Sequence, residues 1–200
     1  MKKCFLKIIM GLMFVGSMLF SNYLNAQVEQ GSIIIEPYYG ISPTGKNAFV
    51  LHVNDARYTS HSFSTLGPTG LRFNFMISET FGIGIDGNYE SIKFKSSDGG
   101  YKYTAKRNVI RAMVNFHLIF LSEGPFQLYG NAGGGYRHPV WKFTSEDPTY
   151  VEETPPGIKI PVALKLGAGF RYMFLDNMGI HVEGNYGGGS YANAGLTFAF

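Results

Sequence analysis

Val162-Ala163-Leu164-Lys165-Leu166-Gly167-Ala168-Gly169-Phe170-Arg171-Tyr172-Met173-Phe174 reads as two interleaved sequences. Val162, Leu164, Leu166, Ala168, Phe170, Tyr172 and Phe174 are apolar, while Lys165 and Arg171 fall between them among Ala163, Gly167, Gly169 and Met173. Successive side chains of a strand point to opposite faces. The stretch therefore predicts a β-strand with one greasy face and one polar or small face.

The same period of two recurs about seven more times. Ile33, Ile35, Tyr39 and Ile41 oppose Ser32, Glu36 and Gly40. Leu71, Phe73, Phe75 and Ile77 oppose Arg72, Asn74 and Met76, and Phe81, Ile83, Ile85 and Tyr89 oppose Gly82, Gly84, Asp86, Asn88 and Glu90. Ile110 to Phe120 alternates against Arg111, Asn115 and His117, and Phe126 to Tyr136 against Gln127, Tyr129, Asn131 and Gly133. Met178, Ile180, Val182 and Tyr186 oppose His181, Glu183 and Asn185; Leu196, Phe198 and Phe200 oppose Tyr191, Asn193 and Thr197. No Asp, Glu, Lys or Arg lies on the apolar face of these runs. At a bilayer midplane Arg or Lys there would cost roughly 2–4 kcal/mol. Lys93, in Ser91–Lys95, does take the apolar parity, and the strand is read as leaving the bilayer there.

Alternation alone also fits a soluble sandwich or lipocalin-like barrel, and the connections help to choose. Ser78–Thr80, Leu121–Pro125 and Leu175–Asn177 are short, and they alternate with long links at Ser42–His61, Lys95–Tyr103 and Lys142–Gly157. The last link, Gly187–Ser190, is short. Short turns at one end and longer loops at the other are the layout of outer-membrane barrels, with the short turns periplasmic. Phe81, Phe120, Phe126, Phe174 and Phe200 fall near the short-turn end, and Tyr39, Tyr89, Tyr136, Trp141 and Tyr186 near the loop end, as two interfacial girdles. The expected fold is all-β: an eight-stranded antiparallel up-and-down transmembrane barrel.

Residues 1–26 have the layout of a secretory signal peptide: basic Lys2, Lys3 and Lys7, an apolar run from Ile8 to Phe20, then a short polar stretch ending in Ala26. The apolar run is too short for an ordinary transmembrane helix of roughly 20 residues. Cleavage after Ala26 leaves one barrel domain, residues 27–200. The three leader lysines account for the whole formal charge of +3, so the chain's basicity does not argue for nucleic acid. The sole cysteine, Cys4, precedes the apolar run, which excludes disulfides and thiolate metal sites in the mature chain.

The closing Ala194-Gly195-Leu196-Thr197-Phe198-Ala199-Phe200 resembles the last strand of bacterial outer-membrane proteins, which typically ends in an aromatic residue. The opening Ile35-Glu36-Pro37-Tyr38-Tyr39-Gly40 resembles the first strand of barrels of this kind. With the leader and eight alternating runs, the whole mature chain resembles the small outer-membrane β-barrel family of the outer-membrane protein A and X type. That resemblance implies location in the outer membrane of a Gram-negative cell envelope. It also implies contact with outer-membrane lipid and lipopolysaccharide, and recognition of Phe198 and Phe200 by the barrel assembly machinery. It does not imply one activity.

The inward face brings together Glu36, Asp86, Glu90 and Glu183 with Arg72, Arg107, Arg111, Lys165 and Arg171, and His117 and His181 between them. Eight strands enclose a space that side chains nearly fill, and confined charges must pair or find water. These residues are expected to form a structural plug of carboxylates and guanidiniums, with no catalytic residue, metal or cofactor. The leading expectation is a monomeric, non-enzymatic surface barrel acting in membrane integrity or adhesion through its long loops. A narrow porin-like channel and a lipid A-modifying enzyme are the alternatives. For the enzyme, His52, Asp55, Ser60, His61 and Ser62, or His181 with Ser190, are loose candidate sets. Gly82 to Gly87 matches GxGxxG spacing, but inside an alternating strand, where no helix N-terminus could receive a phosphate. The Pro-rich, acidic stretch 145–156 reads as a solvated loop.

Overall fold

The computed structural model describes residues 29–42, 60–98, 101–146 and 161–200. The expected leader, residues 1–26, lies outside the described residues, as do His52, Asp55 and the side chains of Ser60 and His61.

Eight strands follow one another in chain order: β1 (Ile33–Ile41), β2 (Ser60–Met76), β3 (Phe81–Asp98), β4 (Tyr101–Glu123), β5 (Phe126–Ser145), β6 (Val162–Leu175), β7 (Met178–Gly187) and β8 (Ala192–Ala199). Each pairs antiparallel with the next, and β8 returns to β1, closing the barrel. Ile33 and Phe200 complete the seam by exchanging backbone hydrogen bonds of 2.8 and 3.0 Å. Within the closed part of the barrel no edge is left open, which is the condition for crossing lipid with strands. No helix among the described residues is long and apolar enough to cross a membrane.

The expected parity holds through all eight strands. Phe73, Phe75, Ile85, Ile110, Phe116, Leu164, Leu166 and Val182 are exposed on the outer wall. Arg72, Arg171, Glu36 and Glu90 are fully buried inside. Charged residues are almost never fully buried in soluble proteins unless paired, and soluble monomers rarely expose so large an apolar surface. This inside-out distribution is that of a membrane-spanning barrel. At the short-turn end the lumen is floored by a buried apolar cluster of Ile34, Met76, Ile119 and Tyr129.

The strands differ greatly in length. β1, β7 and β8 have 9, 10 and 8 residues, close to the roughly 9–11 that a tilted strand needs to cross a bilayer. β2 to β5 have 17, 18, 23 and 20 residues. The short turns hold one end of the barrel level, so the excess rises at the loop end as a wall on one side of the mouth.

Three expectations change here. The loop expected at Lys95–Tyr103 is a continuation of β3 and β4, paired down to Asp98↔Tyr101. Likewise, the segment from Lys142 stays in β5 to Ser145. Above the bilayer the outer face of a strand meets water instead of lipid, so the apolar alternation fades while the backbone ladder continues. Trp141, assigned to the outer girdle, has inward parity and lies against Arg107, with its ring centroid 5.5 Å from the guanidinium carbon.

Candidate functional site: the charged column inside the barrel

Register builds this site. Glu36, Arg72 and Asp86 stand directly opposite one another across β1, β2 and β3. Arg171 faces His181 across β6 and β7, and Glu183 faces Asn193 across β7 and β8. Residues far apart in sequence thus meet on the axis because each sits at an inward position of similar height.

Just above the apolar floor, Arg171 donates through Nη2 to Glu36 Oε1 at 2.7 Å and through Nη1 to Gln127 Oε1 at 2.7 Å. Its guanidinium carbon lies 4.9 Å from the centre of the Tyr129 ring, and His117 packs on the same ring. Thr197 donates to Glu36 Oε1 at 3.1 Å, and His181 Nδ1 lies 3.1 Å from the Thr197 hydroxyl and 3.7 Å from Glu36.

Arg72 is the hub of the next level. It reaches Glu183 bidentately, through Nη1 at 2.9 Å and Nη2 at 3.0 Å. Nη1 also reaches Glu36 Oε2 at 3.1 Å, and Nε lies 3.5 Å from Asp86. A planar fork can grip one carboxylate with two parallel bonds while its remaining donors face others, a geometry that the point charge of a lysine ammonium does not offer. Lys165 Nζ bridges Asp86 Oδ2 at 2.9 Å and Glu183 Oε1 at 3.0 Å. Asn131 and Asn193 add donors to Glu183 at 2.5 and 3.0 Å.

Towards the mouth, the Tyr38 hydroxyl donates to Asp86 Oδ1 at 2.6 Å, and Asn88 donates to that hydroxyl at 3.2 Å. Arg111 donates to Asn88 at 3.1 Å and to Glu90 Oε2 at 2.7 Å. Ser42 donates to Glu90 Oε1. The β7–β8 link folds over this level: Asn88 also donates to the Gly188 carbonyl at 3.2 Å. Gly189, at φ +93°, lies so close to Arg111 that a Cβ would stand 2.3 Å from Nη1. Gly70 plays a similar part lower down, where a Cβ would stand 2.3 Å from the Tyr38 ring.

Nine of the ten residues expected in the interior network, Arg107 apart, are linked by these contacts. The linked ionisable groups hold four carboxylates, Glu36, Asp86, Glu90 and Glu183, and four cations, Arg72, Arg111, Lys165 and Arg171. With neutral histidines the column carries no net charge. All eight carboxylate oxygens receive a donor. Arg107 stands apart, against Trp141 on the tall wall, because Arg107 is paired with Ile92 above the level of Glu90 and Arg111.

Tyr38 was missed in the sequence: it follows Pro37 in an aromatic-rich strand and looks like another membrane-facing ring. The signal was available, since Tyr38 shares its parity with Glu36. Asn131, Gln127, Asn193 and Thr197 carried the right parity but no charge. Of the loose catalytic sets, His181 is bonded to Thr197, whereas Ser190 packs against Gly40 at the rim. The GxGxxG match lies wholly within β3.

No protein-family model matches the chain, and no curated protein matches it. Fourteen solved chains do. The crystal structure of the N-terminal β-barrel domain of Pseudomonas aeruginosa OprF matches at 14% identity and TM-score 0.43, over 86% of this chain and 99% of that one. The outer membrane protein OprG of Pseudomonas aeruginosa matches at 14% identity and TM-score 0.48, over 88% and 98%. Ail, the attachment invasion locus protein of Yersinia pestis, in complex with the heparin analogue sucrose octasulfate, matches at 14% identity and TM-score 0.40, over 86% and 99%. At these values a function has to be argued from this chain's own residues.

Proposed function

We propose that this protein is an integral outer-membrane barrel with a closed, non-conducting lumen, which serves the envelope through its outer surface and loops and carries out no chemistry inside. One observation carries this reading: all eight interior carboxylate oxygens receive a donor, and the linked charges balance four against four. An ion would have to displace paired groups to pass. A general base or nucleophile would have to break an ion pair that the low-dielectric interior makes costly to break. The apolar outer wall and the inside-out parity support insertion in lipid. Short turns at one end, and the leader expected from the sequence of residues 1–26, fit export to the outer membrane with the long loops outward. Within the same reading the protein is a monomer. Phe198 and Phe200, on the seam strand, are what the assembly machinery would recognise.

The test is conductance of the refolded protein in a planar bilayer, after its insertion has been shown by heat-dependent gel mobility. The expected result is silence at physiological salt. Reproducible discrete openings would overturn the closed-lumen reading and put the porin-like alternative in its place.

A further inference from the structure

The seam that closes the barrel joins two of its three shortest strands, β1 and β8, and its ladder is interrupted. Ile34 and Ile35 pair with Ala199 and Phe198, and pairing resumes at Tyr38↔Gly195, so Glu36 and Pro37 have no ladder partner on β8. Pro37 is the cause. Ile33 exchanges backbone hydrogen bonds with Phe200 across the seam. Alternate residues of an antiparallel strand bond to the same neighbour, so Ile35, Pro37 and Tyr39 are the next to face β8. Continuing the register puts Pro37 opposite Leu196, and a proline ring has no N–H to offer the Leu196 carbonyl. Proline within a sheet is confined to edge strands and bulges. Until the barrel closes, β1 is such an edge.

The gap is bridged from inside. The same register puts Thr197 opposite Glu36, and the Thr197 hydroxyl donates to Glu36 Oε1 at 3.1 Å. With that hydrogen engaged, the 3.1 Å contact between Thr197 and His181 makes the imidazole Nδ1–H the donor, so β7 braces Thr197 from behind. Arg171 on β6 donates to the same carboxylate oxygen at 2.7 Å, and Arg72 on β2 donates to the other at 3.1 Å. Arg72 is near Glu36 in the chain and sits on the next strand, whereas Arg171 and Thr197 come from the far end. An unclosed sheet therefore offers Glu36 Arg72 alone. The fully buried carboxylate gains its remaining partners only when β6 to β8 have come round to β1, and leaving a buried charge short of partners is strongly destabilising.

We propose that Glu36, Thr197 and Arg171 form a closure latch for the β1–β8 seam, and that Pro37 keeps the edge of β1 from pairing fully until the latch can form. Adjacent residues divide the work. Pro37 denies an arriving strand a complete ladder, one of the ways natural sheets guard an open edge. Glu36 offers a side-chain bond in its place, and one position on β8 satisfies it. A strand arriving two residues out of register keeps its inward face but sets Gly195 or Ala199 opposite Glu36, and neither has a side-chain donor. The latch therefore selects the register as well as holding it. A conducting barrel would need the same seam, so the latch stands apart from the closed-lumen reading above.

The test is residue-resolved amide hydrogen exchange of the refolded barrel in phosphatidylcholine bilayers, which reads local opening strand by strand. Thr197→Val keeps the shape of the side chain and removes the donor. Exchange at Ile35, Tyr39 and Phe198 on the seam should speed up roughly tenfold or more, as for loss of a hydrogen bond to a charged group. Amides around Ile85↔Val114 in the β3–β4 ladder should not change. Thr197→Ser, which retains the hydroxyl, should behave as wild type. Pro37→Val restores the missing N–H with the latch intact and should slow seam exchange several-fold; in that background Thr197→Val should speed it by a smaller factor. An equal rise at the seam and in the β3–β4 ladder would make Thr197 a general stabilising contact and overturn the latch, as would unchanged seam exchange in Thr197→Val. Should Thr197→Val not insert, Pro37→Val decides alone, and seam exchange no slower than wild type would overturn the proposal. Discrete conductance openings in the wild type would overturn the closed-lumen reading and leave the latch standing.

Discussion

The lumen and the tall wall of this barrel handle charge in opposite ways. Inside, Arg72 alone meets Glu36, Asp86 and Glu183. Outside, Lys93, Lys106 and Lys142 meet one another. The difference follows from the surroundings. A charge in a narrow lumen of low dielectric has no solvent to fall back on, so the chain must supply its partner. At a wet interface water screens the repulsion, and a like-charge row costs only a fraction of a kcal/mol to about 1 kcal/mol per pair. Closed pairing therefore marks groups that the fold must satisfy itself, and a tolerated like-charge row marks a surface where solvent supplies the screening.

The sharpest way to break this contrast is to remove the hub. Arg72→Ala leaves Glu36 and Glu183 facing each other with one cation fewer, and is expected to destabilise the barrel by about 3–5 kcal/mol, the usual cost of orphaning a buried charge. A lowered midpoint for loss of the heat-resistant gel form measures it. No change in that midpoint would mean that water shields the carboxylates and that the column is not a dry plug. Removing both partners separates the pair's own contribution from the cost of an orphan: Lys165→Met with Asp86→Leu should destabilise by less than Lys165→Met alone.

Nearer the mouth the effects should shrink. Arg111→Ala leaves Glu90 with its contact from Ser42 but without the 2.7 Å guanidinium bond. A loss of about 1.5–3 kcal/mol is expected for a charged hydrogen bond. Gly189→Ala tests the inward-folded link, since it needs φ +93° from an L-residue and pushes on Arg111. It should cost roughly 1–3 kcal/mol, seen as faster proteolysis at the mouth. The smallest effect belongs to the wall. In purely zwitterionic vesicles Lys106→Gln should leave stability unchanged or raise it by up to about 1 kcal/mol.

Much of this architecture is legible in the sequence. Alternation in stretches such as Val162–Phe174 places Leu164 outward and Lys165 inward whatever the neighbouring strands do, because the pleat alone decides it. That is why nine of the residues singled out by parity lie in one connected column. The strand ends on the tall wall were not readable. Residues 60–68, 95–98, 101–104 and 142–145 are polar on both faces or irregular, and only pairing with a neighbour holds them extended. Arg107 was misplaced because parity gives the side of the sheet but not the height, and it stands above the level of Glu90 and Arg111; Trp141 was put on the wrong face, because beyond Tyr136 the alternation that reveals parity has faded.

The sequence by itself determined the class of structure, the face on which each residue lies and the sign of each charge. Those properties depend on a residue and its immediate neighbours along the chain. Which carboxylate meets which cation, and that three lysines align across β3, β4 and β5, depended on interstrand register and closure. A shift of two residues between strands keeps every side chain on its face yet moves it about 7 Å along its neighbour, enough to dissolve the Arg72 hub or scatter the lysine row.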